Sequence, residues 1–198
     1  MGNPQETELT LAFLAGLIEG EGCFSVHRRS RTDGGKARNG GEPTLNYKAH
    51  IAISNSDGRM IEDVHQILDS FQVGHYVQWH GMGLKKGSIN PHTGKMVKAV
   101  RSVGQINIMG MKRCQTFIPL VLPYLRYKKD QAELMLQWIE YRLSIPYASA
   151  ISQRKATTYG DYDDQVYRQM HELKSAGSST TTRESHTTRY GLPDDGKI

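Results

Sequence analysis

Residues 14–22 read LAGLIEGEG, and this segment carries the strongest structural signal in the chain. Its apolar beginning continues a helical pattern, and its glycine-rich end leads directly into an alternating strand pattern. Gly16 and Gly20 lie four residues apart, so on a helix they share one face and leave room for another backbone to approach closely. We therefore predict a helix that packs against a second copy of the chain. The predicted interface comprises Leu14, Gly16, Leu17 and Gly20.

Glu21 stands at the end of this helix, where the negative pole of the macrodipole disfavours a carboxylate by roughly 0.3–1 kcal/mol. A positive group is therefore expected beside it. If two copies of the helix pack about a two-fold axis, their Glu21 carboxylates converge. Paired carboxylates beside a phosphodiester suit a magnesium ion that activates water for hydrolysis. The alternative is that Glu19 and Glu21 are ordinary solvated acids and Gly22 is an ordinary helix-ending glycine.

The elements around this stretch follow from periodicity and turn residues. We predict helices over residues 7–20, 59–71, 111–122, 128–142 and 161–174, with Thr7 available as the cap of the first helix. Alternation predicts strands over residues 23–31, 45–53, 75–80 and 98–108. Residues 32–43 are expected to form a loop or hairpin tip.

This order of elements predicts an α+β fold in which an antiparallel sheet carries all its helices on one face. Residues 1–175 are expected to form a single domain, with its core in about residues 8–142 and C-terminal helices in residues 143–175. The serine- and threonine-rich tail, residues 176–198, is expected to be disordered.

The other face of the sheet is predicted to be polar and free of acidic residues. Arginine and lysine can bridge guanine acceptors, and asparagine and glutamine match adenine, so this face favours reading of duplex DNA. A merely solvated sheet face is the alternative. The predicted DNA-binding residues are Ser25, His27, Arg29, Arg31, Asn46, Lys48, His50, Gln78, His80, Arg101, Gln105 and Asn107.

Composition is consistent with this prediction. The chain has 198 residues and a formal net charge of +5, which favours a polyanionic partner. Its two cysteines, Cys23 and Cys114, form no disulfide framework and suit a reducing environment. The longest apolar run, residues 9–18, is too short to span a bilayer, so no membrane partner is expected. No targeting peptide is read at the N-terminus, and the compartment stays open. Four further lysines, in a predicted loop and at the start of the strand after it, would extend the contact with phosphates unless this segment is only solvated: Lys85, Lys86, Lys95 and Lys98.

Residues 14–22 resemble the LAGLIDADG motif, with glutamate for aspartate at two positions and glycine for the alanine between them. The resemblance extends over about residues 8–142 to the single-motif, homodimeric LAGLIDADG homing endonucleases encoded in group I introns. It implies the αββαββα fold with a saddle-shaped, four-stranded sheet, magnesium as cofactor, no small-molecule cofactor, and staggered cleavage of a long, pseudo-palindromic duplex. An organellar location would follow if the gene lies in an organellar intron.

The same resemblance implies the roles of individual residues. Glu21 is the metal ligand, and Gly22 adds its carbonyl oxygen. Asn55 and Arg59 help to order water around the scissile phosphate, and Lys128 matches the catalytic lysine. Each has a simpler alternative: Asn55 as a turn former, Arg59 as a surface arginine, and Lys128 as a solvated lysine opening a helix.

Glu19 is expected to cap or to pack at the dimer interface rather than to bind metal. Because a glutamate replaces the usual aspartate at the metal position, two other functions stay open. One is a DNA-binding regulator without cleavage, and the other is an intron RNA maturase.

Overall fold

The computed structural model describes residues 3–30, 45–81, 87, 89, 94–96, 102–145 and 159–178. In chain order, its elements are α1 (Pro4–Glu21), β1 (Gly22–Ser30), β2 (Leu45–Asn55), α2 (Gly58–Ser70), β3 (Tyr76–His80), β4 (Val103–Met109), α3 (Met111–Val121), α4 (Lys129–Ser144) and α5 (Asp161–Ser178). A short 3-10 turn, Leu122–Tyr124, separates α3 from α4. No helix in these ranges is long and apolar enough to cross a membrane.

The four strands form one antiparallel sheet in the order β1-β2-β4-β3. The predicted α+β class and antiparallel sheet are therefore confirmed. Gly22 pairs with Ile53, so the motif enters the sheet beside the end of β2.

Alternation along the strands separates a core face from a polar face, as expected for a sheet covered on one side. On β2, the residues of the core face are buried: Tyr47, Ala49, Ile51 and Ile53. They share one hydrophobic cluster with Phe24, Ile106, Ile108 and with the helical residues Ile18, Val64, Phe117 and Trp138. Leu45, the first residue of the strand, alternates with these residues but is exposed.

Two predicted features of α1 are wrong. Its cap is Asn3, whose side chain accepts a hydrogen bond from the Gln5 backbone nitrogen at 3.2 Å, and Pro4 occupies the first helical position that proline favours. Thr7 lies inside the helix. Leu14, predicted at the dimer interface, is fully buried in the core of the chain and is therefore not available to a second copy.

The C-terminal helix α5 belongs to the same core. Val166 and Met170 of α5 are buried in the hydrophobic cluster. Asp163, only 1% exposed, accepts a hydrogen bond from Trp138 Nε1 at 2.8 Å. The helix continues to Ser178, past the predicted end of the domain at residue 175. The predicted disorder of residues 179–198 lies outside the described residues.

Asp164 fastens α5 to the sheet and makes this docking sensitive to acid. Its carboxylate accepts hydrogen bonds from Arg28 Nη1 at 2.7 Å and from the Tyr47 hydroxyl at 2.9 Å. The bonds to Arg28, Tyr47 and Arg168 lower the pKa of Asp164 to about 2, whereas an unfolded aspartate titrates near about 3.9. A depressed pKa stabilises the fold above the unfolded value, and this stabilisation is lost as the pH falls toward about 2.

We therefore expect the wild-type chain to lose more stability between about pH 4 and pH 2 than Asp164→Asn, which has no carboxyl group to protonate there. Thermal melts across that range measure the difference. Two parallel curves would contradict the role given to Asp164.

Candidate nucleic-acid interface and hydrolytic site

Lys128 reaches the C-terminal end of α1. Its Nζ donates hydrogen bonds to the Ile18 carbonyl at 2.8 Å and to the Gly22 carbonyl at 2.7 Å. Burial lowers the pKa of Lys128, while the negative charges of Glu19, Cys23 and Glu21 oppose that shift. The ammonium group therefore occupies the negative pole of the helix, where the sequence predicts a positive group. The structure places Lys128 just before α4, at its cap position, and not as a freely solvated lysine.

Glu19 organises the segment that positions Lys128. Its Oε1 accepts hydrogen bonds from three consecutive backbone nitrogens, those of Arg126, Tyr127 and Lys128, at 2.6, 2.9 and 3.3 Å. Successive backbone N–H groups of this kind form a concave anion site. Its Oε2 is buried and has no hydrogen-bond partner among the described residues. Glu19 therefore caps the backbone segment that precedes α4, and capping is one of the two roles expected for it.

Glu21, by contrast, is exposed, and no described residue donates a hydrogen bond to its carboxylate. It is close enough to Lys128 to influence that residue's pKa. The end of α1 thus presents an available carboxylate, a backbone carbonyl at Gly22 and a fixed ammonium group. These are the groups needed to hold a hard cation and a negatively charged oxygen side by side.

Packing against Ile18 requires a glycine at position 22. A Cβ at this position would lie 2.7 Å from Ile18 Cα and 2.8 Å from the Ile18 carbonyl oxygen, both backbone atoms that cannot move independently. Gly22 is also buried, and its nitrogen donates to the Ile18 carbonyl. The close approach of α1 to the start of β1 therefore depends on the missing side chain.

Gly22→Ala is expected to destabilise the fold by about 1–3 kcal/mol, the usual cost of overpacking. Gly160→Ala is the control, because a Cβ there meets nothing within 4 Å, and its expected cost is at most about 1 kcal/mol for a poorer helix cap. Denaturant unfolding compares the two. Equal stabilities would show that the contact with Ile18 relaxes freely.

Asn55 and Arg59 lie at the same end of the sheet but are engaged locally. Asn55 Oδ1 accepts a hydrogen bond from the Asp57 nitrogen at 2.8 Å, which is the turn-forming role considered for it. Asp57 caps α2 and accepts from Arg59 Nη2 at 2.9 Å. This ion pair lowers the pKa of Asp57 and raises that of Arg59, although the Arg59 side chain is 90% exposed. The Nδ2 group of Asn55 and the exposed guanidinium of Arg59 are therefore available to bind a ligand from solution.

The polar face of the sheet is continuous across its strands. Residues directly opposite one another on neighbouring strands share a face. The register joins Ser25 with His50, His27 with Lys48, Arg29 with Asn46, and Gln105 with Gln78. No aspartate or glutamate occurs in any of the four strands. Arg31 and Arg101, also predicted on this face, lie outside the described residues, as do Lys85, Lys86 and Lys98, whereas Lys95 is exposed.

Asn107 was predicted to contact DNA, and its burial shows that this prediction is wrong. It is only 2% exposed, because β4 is an inner strand whose neighbours place Ala52 and Tyr76 directly opposite it. Its Nδ2 donates to the Gln105 carbonyl at 3.3 Å, and its Oδ1 lies 2.8 Å from His50 Nε2. Asn107 therefore orients His50 instead of contacting a ligand.

A chain of hydrogen bonds extends from this asparagine to the surface. Because Asn107 Oδ1 is an acceptor, His50 Nε2 is the donor, and His50 Nδ1 is then left to accept from His27 Nε2 at 3.2 Å. Partial burial lowers the pKa of His27, and its electrostatic interactions with the His50 ring, Lys174 and Arg29 lower it further, which favours the neutral form of His27. His27 consequently presents Nδ1 as a hydrogen-bond acceptor.

Gln105 is held in a similar way. Its Nε2 donates to Ser54 Oγ at 3.0 Å, and its Oε1 lies 3.2 Å from His80 Nε2. Lys174 of α5, which was not predicted on this face, donates to Ser25 Oγ at 2.8 Å. Lys174 follows Met170 by four residues, so the helical stripe of buried residues could have indicated its direction.

Comparison with known proteins supports this architecture. No family model matches the chain, and no curated protein matches it. Solved structures do match. The homing endonuclease I-CvuI, in a complex with the I-CreI target, superposes with a TM-score of 0.54 at 18% identity, covering 85% of this chain and 83% of that one. I-CvuI with its own target gives 0.50 at 20% identity, covering 86% and 98%.

A third match is the group I intron-encoded homing endonuclease I-CeuI complexed with DNA. It superposes with a TM-score of 0.53 at 14% identity and covers 85% of this chain and 69% of that one. At these identities, similarity establishes the fold. The chain, with its LAGLIEGEG segment at the junction of α1 and β1, has the fold of the LAGLIDADG homing endonucleases.

Proposed function

We propose that this protein is a site-specific, magnesium-dependent DNA endonuclease that acts as a homodimer on a long, pseudo-palindromic duplex. The observation that carries the proposal is the arrangement at the end of α1, where the exposed Glu21 carboxylate lies beside the Gly22 carbonyl and the Lys128 ammonium group. This site joins a polar sheet face without acidic residues. The matched structures include DNA complexes crystallised with Mg or Ca, which supports a DNA partner and a divalent ion.

The donor atoms suit magnesium, which prefers oxygen ligands and retains several waters. Glu21 would supply a carboxylate oxygen and Gly22 its carbonyl oxygen. That carbonyl already accepts from Lys128 at 2.7 Å, and a carbonyl oxygen has two lone pairs. When bound, magnesium would supply Lewis-acid stabilisation and an activated water.

The chain's own residues position the phosphate and balance its charge. Lys128 is fixed by two backbone carbonyls, so its ammonium can stabilise developing negative charge without reorganising. Arg59 projects its exposed guanidinium from the start of α2 and can contact a phosphate oxygen. Asn55, at the end of β2, keeps its Nδ2 group for ordering water.

Dimerisation through α1 is supported by an apolar stripe on its outer surface. Leu9 and Phe13 are exposed, and Gly16 and Gly20 continue the stripe at helical spacing. An added Cβ at either glycine would meet nothing within 4 Å of its own protomer, so a second backbone can approach there. Leu17, which is half-buried, borders the stripe. A two-fold axis along this helix pair would bring both Glu21 residues to one duplex.

Sequence reading is assigned to the polar face of the sheet. His27 offers an acceptor, whereas Arg29 and Lys48 offer donors. Gln78 and Gln105 carry amides that match adenine. Ser25, Asn46, His50 and His80 complete the described part of this surface. Lys95 and Lys174 add positive charge at its margins, which supports salt-dependent binding to phosphates.

Selection of cleaved sites from a randomised duplex library in the presence of magnesium tests the proposal. The expected result is one enriched, long, pseudo-palindromic sequence whose cleavage stops when a chelator removes the metal. Binding without cleavage would replace the proposal with the DNA-regulator function. Preference for structured intron RNA over duplex DNA in a competition assay would replace it with the maturase function.

A further inference from the structure

Three side chains that commonly ligate metals meet at the C-terminal end of α2. They are His65, Asp69 and His75, and one ligand atom from each can be chosen so that all lie within 4.8 Å of one another. His65 is six residues beyond Arg59, a rise of about 9 Å along the helix. The cluster therefore lies further along α2 than Arg59 and shares no residue with the hydrolytic site proposed above.

The local backbone brings these residues together. His65 and Asp69 lie four residues apart and share one face of α2. The chain then reverses at Gln72, which adopts a left-handed conformation with φ of 55° that is uncommon for a residue other than glycine. Backbone bonds from Gln72 to Asp69 and from Val73 to Leu68, each 2.9 Å long, fix the reversal and return His75 to the helix.

His75 is already oriented as a metal ligand. Its side chain is only 3% exposed, and Nδ1 lies 2.8 Å from the Val73 carbonyl oxygen. Because a carbonyl can only accept, Nδ1 carries the proton and Nε2 carries the lone pair. Metal-binding histidines usually have their second nitrogen fixed by such a donated bond. His75 Nε2 points toward His65 Nδ1, which lies 2.7 Å away.

We propose that His65, Asp69 and His75 bind zinc or a similar divalent transition-metal ion, with water as the fourth ligand. Two histidines and a carboxylate are a common zinc set, and two nitrogens on a tetrahedral zinc lie about 3.3 Å apart. The imidazoles therefore need to separate by about half an ångström, and the proton on His65 Nδ1 must move to Nε2 so that the neutral ring presents a lone pair to the ion. Asp69 Oδ2 lies 3.7 Å from His65 Nε2, and its exposed side chain can turn toward the ion.

The ion would fasten the turn between α2 and β3. His75 directly precedes β3, the edge strand that carries Gln78 and His80 on the polar face. An edge strand has a neighbour on only one side, so a metal clip at its start would limit its fraying. We therefore expect the bound ion to make the edge of the sheet more ordered and the fold more stable.

Zinc binding is best measured without DNA, in the Glu21→Gln background, so that the end of α1 does not compete for metal. Titration against a chromophoric chelator should give one zinc per chain. Asp69→Asn and His75→Gln should each weaken binding by at least about 10–100-fold, the loss known for disturbing even an outer-shell partner. Glu62→Gln, which keeps an acceptor for Gln66 on the same helix, is the matched control and should bind like its parent.

Thermal melts give a second readout, since zinc should raise the melting temperature of the Glu21→Gln chain and leave that of the Asp69→Asn derivative unchanged. Asp69 is exposed, so its replacement keeps the fold testable even if the buried His75 variant unfolds. Absence of stoichiometric zinc in the Glu21→Gln chain, or equal affinities for the Asp69→Asn derivative and the control, would overturn the proposal. Neither result bears on DNA cleavage.

Discussion

Glu21→Gln is expected to reduce magnesium-dependent DNA cleavage by at least about 100–1000-fold, the range observed when one oriented electrostatic partner is removed from an active site. Glutamine keeps the size of the side chain but removes the negative charge that would hold the cation. DNA affinity should stay the same or increase, because one negative charge facing the phosphates disappears. Cleavage rate and binding, measured on the same duplex, separate the two effects.

Glu8→Gln is the matched control, since Glu8 is an exposed acid on the same helix, more than three turns from the site. Its cleavage rate should equal that of the wild-type chain. Undiminished cleavage by Glu21→Gln would refute the metal-binding role of this residue. A parallel loss of DNA affinity would instead indicate damage to the fold or to the dimer.

Asp163→Ala is expected to have the largest effect on stability. Asp163 is buried, and it accepts hydrogen bonds from Trp138 Nε1 and from the Gly160 nitrogen, both at 2.8 Å. It also pairs with Arg142, whose Nη1 lies 3.5 Å away and whose side chain is 9% exposed. Removal of the carboxylate leaves a buried cation and a buried indole donor without their partner, which costs about 3–5 kcal/mol.

A cost of this size corresponds to a fall in melting temperature of roughly 10 °C for a domain of this length. Asp161→Ala provides the comparison, because Asp161 is an exposed acid in the first turn of the same helix, and its loss should cost no more than about 1 kcal/mol. If α5 detaches, Lys174 also leaves Ser25, so DNA affinity should fall in Asp163→Ala alone. Similar melting temperatures for the two variants would show that α5 is not stabilised by the buried aspartate.

The fold was predictable because its strongest signals are local. Alternation of Tyr47, Ala49, Ile51 and Ile53 defined β2, and the helical spacing of Ile61, Val64 and Leu68 defined α2. The positive group expected beside Glu21 is Lys128. It lies more than 100 residues further along the chain and donates to the carbonyl of the neighbouring Gly22. Here electrostatics indicated the kind of group, and the resemblance indicated the residue.

The wrong predictions concern residues whose burial depends on tertiary contacts. Leu14 was predicted at the dimer interface, yet it lies on the buried face of α1 with Leu11 and Ile18. Because α1 is apolar on both sides, periodicity alone does not say which side the core of the chain covers. Asn107 alternates correctly onto the polar face, but its burial depends on the neighbouring strands. The contacts of Asp163 and Asp164 could not be predicted from the sequence either, because their partners lie on α4 and in the sheet.

Counting the chains bound to one duplex tests whether the protein acts on DNA as a homodimer. Native mass spectrometry of the Glu21→Gln chain on the selected target keeps the DNA uncut during the measurement. We expect two chains per duplex at saturation, because each copy brings a single Glu21 and the exposed stripe of α1 needs a partner. A complex that saturates with one chain, from a protein whose wild-type form still cuts both strands, would contradict it.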